Sequence, residues 1–246
     1  MVTSLRGFAL GMVALVGLGH CDGSQPLSRP TVPLRPETIA SPARTRAATV
    51  QEVVARPVWV SLAQGPPTAA YAGLEMAYGD QIRTEDQALA EGQLVTGPVF
   101  RIGGNASLTL RPNQQLQFDA GQMITWVEGQ PPGPVEILTP VGIAGLRGTT
   151  AFVNIPPDPQ APVEIFSWEG EVSIRPNGAR SEIILTSGEQ LLLRLGEQDV
   201  AALQARVRRL DRATARQRLS NSPLINDFSQ PLPTRPQIEA ALERLE

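Results

Sequence analysis

The sequence contains no lysine; all 21 of its basic side chains are arginine. It has one cysteine, Cys21, and one histidine, His20, side by side near the N-terminus. If that end is removed by processing, the rest of the chain can build neither a disulfide framework nor a His/Cys zinc site. A Ser–His or Cys–His nucleophile pair is excluded on the same ground. Phosphate-loop and calcium-loop spacings are also missing, so no cofactor and no metal is expected. Aromatic residues make up only 4% of the chain, and the core must come mainly from Leu, Val, Ile and Ala. A formal net charge of −3 gives no general basic field, which argues against a nucleic-acid partner.

Apart from Gly7 to Gly19 (GFALGMVALVGLG), no stretch of the chain is apolar enough to cross a membrane as a helix. That run follows Arg6, has the length of a signal-peptide h-region, and is short for a span. It ends at Leu18-Gly19-His20-Cys21, which resembles a lipobox, with His20 where a small residue is usual. Residues 1–21 are therefore expected to be an export signal. Lipid attachment at Cys21, ordinary cleavage and an uncleaved anchor all remain open.

What the sequence does have is breakers: 23 prolines and 22 glycines. Pro26, Pro30, Pro33, Pro36, Pro42 and Pro57, set among Ser, Thr and Arg, predict an extended tether over residues 22–57. Within it, Val50, Val53 and Val54 fit one helical turn. Residues 58–196 then alternate with period 2 in short runs such as Ser107–Leu110, Leu116–Phe118 and Met123–Val127. Turn signals separate the runs: Gly103-Gly104-Asn105, Pro112-Asn113, Gly129 to Gly133, Pro156 to Pro159 and Asn177-Gly178. Asn177-Gly178 predicts a hairpin. The fold class expected is all-β, either a compact solenoid-like coil of short strands or a β-sandwich. Trp59, Trp126 and Trp168 fall in strands as core candidates.

Residues 197–246 read as a helical tail. Val200, Leu203, Val207 and Leu210 form one stripe of a helix over about 199–219, and Pro223 ends that stretch. A short acidic helix follows from about Arg235. The stripe implies that the tail lies against the β domain or a partner, because so narrow a stripe does not stabilise an isolated helix. The arginines around it face solvent, or attract anionic lipid head groups or an acidic partner.

Five blocks, in order, make the β segment similar to the FecR domain family. Gly79-Asp80-Gln81-Ile82-Arg83-Thr84 resembles the family's opening. Arg101-Ile102-Gly103-Gly104-Asn105, followed by LTLRPNQQLQF, resembles the next block. The run from Thr139 to Phe152 contains Pro140, Gly142, Gly145, Arg147, Gly148 and Thr149 and is similar to the family's T-P-x-G-x-A-G-x-R-G-T-x-F core. VEIFSWEGEVSI, with its Glu169-Gly170 turn, and Ser187-Gly188-Glu189-Gln190 resemble the closing segments. Together the blocks cover about half the chain. The resemblance implies an exported bacterial protein at the periplasmic face of the cell envelope. In the best-known members the domain is the sensor of a transmembrane anti-sigma regulator. This sequence shows neither the cytoplasmic sigma-binding domain nor the central span of that layout. What carries over is a sensing, scaffolding or protein-binding module, with another envelope protein or a cell-wall component as partner.

Three glycines spaced by three, Gly142, Gly145 and Gly148, suit tight turns or close strand approach. Arg147 between them is expected to bind carbonyls left unpaired at those turns, or else to grip a carboxylate or phosphate. No catalytic residue is assigned. The alternative is a polysaccharide hydrolase using paired carboxylates among Glu164, Glu169 and Glu171.

Overall fold

Strand periodicity dominates the chain, and the structure, a computed structural model, describes residues 44–127 and 133–245. The expected export signal with His20 and Cys21, residues 22–43 of the expected tether, and most of the Gly129–Gly133 turn lie outside the described residues. Six strands come first: β1 (Arg46–Val54), β2 (Val58–Ser61), β3 (Thr68–Ala69), β4 (Glu75–Ala77), β5 (Gln81–Thr84) and β6 (Leu89–Leu94). Two long strands follow, β7 (Val99–Arg111) and β8 (Gln115–Trp126). Next come β9 (Val135–Leu138), β10 (Gly142–Leu146), β11 (Thr150–Ile155) and β12 (Val163–Glu169). After them run β13 (Val172–Pro176), β14 (Ile183–Leu185) and β15 (Glu189–Leu193). The tail holds α1 (Val200–Gln204), β16 (Arg208–Arg209), α2 (Arg212–Asn221), α3 (Pro223–Asn226) and α4 (Arg235–Leu242).

The two long strands belong to two layers at once. The first half of β7 pairs with β6, and its second half pairs with β5. In β8 the second half pairs antiparallel with β11, while Gln115–Gln117 pair in parallel with β9. One layer therefore runs β4-β1-β6-β7-β8-β11-β12-β15-β16. The other runs β3-β2-β5-β7-β8-β9-β10-β13-β14. The inner faces of both layers merge into one apolar core, with Ile102, Met123, Val153 and Ile165 from the first and Ile82, Leu108, Phe118 and Ile174 from the second. The fold is all-β and sandwich-like, the second of the two architectures that the strand spacing allows.

The bend between layers sits where the sequence pattern suggests a turn between strands. Gly103-Gly104-Asn105 instead form a bulge inside β7, with a register shift between Gly103 and Ser107. Gly104 and Asn105 take φ of 66° and 60°, which these two residue types tolerate. The chain kinks there without reversing. Asn177-Gly178 does join paired strands, β13 and β14.

The outer face of the first layer carries a second apolar core. Leu89, Ile124, Trp126, Phe152, Phe166 and Trp168 meet tail residues that include Leu219, Leu224, Ile225, Phe228, Ile238 and Leu242. Phe166 and Trp168 pack edge to face at 4.8 Å. The second half of β8 and strands β11 and β12 are therefore buried on both faces.

Three expectations need correction. The tether does not extend to residue 57: β1 occupies Arg46–Val54 and buries Ala47, Ala48 and Val50, so the three valines form strand and not a helical turn. Small apolar residues between Arg46 and Val54 pair with β4 and β6 despite the proline-rich surroundings. Trp59 is only partly exposed but points away from the core, on the outer face of the second layer. The stripe Val200–Leu210 is not one helix. Asp199 caps α1 by accepting from the Ala202 N–H, and Asp211 caps α2 by accepting from the Thr214 N–H, with β16 between. Leu203, Val200 and Val207 pack on the first core, whereas Leu210 joins the second. Two separate cores draw the stripe apart.

Candidate functional site

The tail covers the first layer over β8, β11 and β12, and no described residue covers the outer face of the second. Cross-strand registers align Ser61, Gln81, Thr109, Gln117, Leu138, Ile143 and Arg175 in one row over seven strands. All seven are partly exposed. At about 4.8 Å per strand the row spans roughly 29 Å. A parallel row, Glu136, Gly145, Ser173 and Ile184, runs to the β14 edge. There Gly145, Arg147, Glu171, Ser173, Glu182 and Ile184 line an open depression of about 400 Å³.

Arg147 has a different place from the one its sequence position suggests. It is exposed on the rim of this depression and makes no hydrogen bond or ion pair with a described residue. Within the family-like blocks, the arginine that donates to backbone carbonyls is Arg101. Its side chain is 1% exposed and ion-pairs with Glu91 at 2.7 Å. It donates to the carbonyls of Leu224 at 3.1 Å, Ile225 at 3.4 Å and Gln230 at 2.8 Å. Its guanidinium lies between the rings of Phe228 and Trp126, 4.2 and 5.2 Å from their centroids. Arg218 mirrors it from the tail: it ion-pairs with Glu164 at 2.6 Å and lies over Phe152 and Phe166 at 4.6 and 4.5 Å. Sequence reading passed over Arg101 because Val99-Phe100-Arg101-Ile102 alternates as if Arg101 faced water; nothing in the strand itself signals the tail above it.

The other residues of the family blocks fall into structural positions. Asp80 is fully buried, and its carboxylate accepts from the Ala77 N–H at 2.7 Å, the Ala63 N–H at 2.8 Å and Arg44. Gly79 donates to the Leu110 carbonyl at 2.8 Å. Thr84 Oγ1 accepts from the Ala106 N–H at 3.0 Å and so ties β5 to the β7 bulge. Arg83 stands on the bare face beside Trp59 and Ser107, far from the depression in strand order. Pro140 is exposed, and its carbonyl accepts from Asn177 Nδ2 at 2.8 Å. A Cβ on Gly142 would stand 2.6 Å from the Arg175 carbonyl oxygen, so β10 and β13 approach as the glycine spacing suggests.

Thr149, Glu169 and Gly170 meet in one hydrogen-bonded knot, with the Gly148 carbonyl beside Gly170. Thr149 Oγ1 donates to the Glu169 carbonyl. Ser167 Oγ donates to the Gly170 carbonyl at 3.1 Å, and the Gly170 N–H donates to Ser187 Oγ at 3.0 Å. Thr150 Oγ1 lies 3.0 Å from Glu169 Oε1 and 2.8 Å from Thr234 Oγ1 of the tail. Partial burial pushes the Glu169 carboxyl above the ordinary glutamate range, against the lowering effect of the Thr150 hydrogen bonds. The three candidate carboxylates are thus dispersed: Glu164 is paired with Arg218, Glu169 is held in the knot, and Glu171 is on the rim of the depression. Among the described residues no three His, Cys, Asp or Glu side chains cluster as a metal site.

No family model matches the sequence, and no curated protein matches it. Two crystal structures of a candidate anti-sigma factor from Parabacteroides distasonis are similar to it, each at 13% identity and a TM-score of 0.43. The match covers 56% of this chain and 64% of that protein, less than two thirds of its length.

Proposed function

We propose that this chain is a non-catalytic, FecR-type module of the bacterial cell envelope. It senses or scaffolds by binding another envelope protein or a cell-wall component through the bare outer face of the second layer. The observation that carries this reading is the asymmetry of the sandwich: its own tail covers the aromatic part of one outer face, and the other, covered by no described residue, presents a largely polar, strand-built surface about 29 Å long. Uncommitted Arg147 on the rim of the depression supplies a planar donor fork for a carboxylate or carbonyl of the partner. The five family blocks in order support the family assignment, and the run ending at Cys21 supports an envelope location with lipid as a possible anchor.

A photo-crosslinking residue at Ser173, compared with one at exposed Glu239 on the tail, tests the surface in cells. The expected result is a discrete adduct from Ser173 that Arg147→Glu removes. Equal labelling from both positions would overturn the assignment. The second reading, a polysaccharide hydrolase, draws on Glu171 and Glu182 lining the same depression. Turnover of a polysaccharide that is lost in Glu171→Gln would establish it instead.

A further inference from the structure

Away from the bare face, the last two strands of the first layer gather charge of one sign. Arg208 of β16 lies opposite Gln190 of β15, which lies opposite Phe166 of β12. Alternation along β15 puts Gln190, Leu192 and Arg194 on that same face. Arg206, arriving from the turn after α1, donates to the Leu192 carbonyl at 2.6 Å and to Glu197 at 2.5 Å. Gln190, Leu192, Arg194, Arg206 and Arg208 together line a depression of about 290 Å³.

Of these three guanidinium groups only that of Arg206 ion-pairs with a described carboxylate, Glu197. Glu197 is held below the usual glutamate range first by the Arg206 hydrogen bond, with a smaller attraction from Arg194. Three positive charges against one negative leave two uncompensated by described residues. Among them stands an exposed large apolar side chain, Leu192, 42% exposed and lining the same depression. Cations flanking an exposed leucine match the layered chemistry of a bilayer surface, with phosphates outside and acyl carbons beneath. A soluble anion would satisfy the arginines but leave Leu192 in water.

We propose that the β15–β16 edge docks the protein onto an anionic phospholipid surface, with Arg194, Arg206 and Arg208 on the head-group phosphates and Leu192 at the acyl boundary. This contact is separate from any lipid on Cys21 and from the partner face of the second layer.

The test is vesicle binding by the full chain carrying Cys21→Ser, which removes any lipid there while keeping the apolar run 7–19 common to all variants. Arg194→Gln/Arg208→Gln is expected to weaken binding to phosphatidylglycerol-containing vesicles by about 30-fold, at ~1 kcal/mol per arginine. Binding to pure phosphatidylcholine vesicles should not change. Arg194→Lys/Arg208→Lys should bind nearly as the parent does, because a membrane surface reads charge more than fork geometry. Melting curves confirm that each variant is folded. Undiminished binding by the Gln pair would overturn the proposal. So would loss in the Lys pair as complete as in the Gln pair, which would mark a bidentate anion pocket, or a parent that does not prefer anionic vesicles.

Discussion

The arginines divide by what lies above them. Arg101 and Arg147 both sit in family-like blocks, yet one is sealed under the tail and the other is exposed. Arg101→Met leaves Glu91 without its cation and three tail carbonyls without their donor, so we expect a loss of about 3–5 kcal/mol in denaturant melts. Arg147→Gln should stay within about 0.5 kcal/mol of the parent. A large loss in the second and none in the first would invert the structural roles assigned here. Glu169 offers a test by pH. The folded state holds its proton more tightly than the unfolded chain does, so the residue costs stability as pH rises from the ordinary glutamate range through the raised value. Glu169→Gln removes that titration. The variant should gain on the parent as pH rises from ~3.5 to ~7, and the gap should close again on acidification. A gap that does not vary with pH would show that Glu169 titrates alike in both states.

Elements show how far local pattern reaches. Period 2 identifies the inward sides of β7 and β8: Leu108, Leu110, Leu116 and Phe118 are buried, as their spacing predicts. It does not say that these two strands bend through both layers, because a bulge and a turn share the same residue types. Space around the glycines tells them apart. At the bend, Gly121 has φ of +88°, and a Cβ there would lie 2.4 Å from the Ala106 Cα. Gly104, on the partner strand, has φ of +66° but nothing nearer than 3.5 Å. Gly121→Ala should therefore cost about 2–5 kcal/mol, backbone strain and overpacking together, and Gly104→Ala only about 1–2. Equal losses would mean that the close approach of β7 and β8 is not what holds the bend. In the tail, the spacing of Val200, Leu203, Val207 and Leu210 reads as one helix, whereas the structure stops α1 at Gln204 and starts α2 afresh at the Asp211 cap, which the stripe reading did not use. What the stripe could not reveal is that its residues serve two different cores, a matter of distant partners rather than of period.

For the whole molecule, all-β class and strand content follow from alternation and turn chemistry, whereas the candidate face follows from subtraction: it is what the tail leaves uncovered. Local sequence carries the alternation and, through the tail's apolar stripe, the expectation of a docked tail; it does not say which face is covered, since the contacts that create the cover join residues far apart in the chain. Arg101 reaches Leu224, and Glu52 accepts from the Ser229 N–H at 3.0 Å. The same separation orders events in time. During synthesis, Trp126, Phe152, Phe166 and Trp168 are made well before Arg212, where α2 begins. At roughly 5–20 residues per second the stretch from Arg212 onward takes on the order of 2–7 s to appear. Through that interval the aromatic face is open to whatever chain meets it first, and the tail has to arrive as one competitor among several.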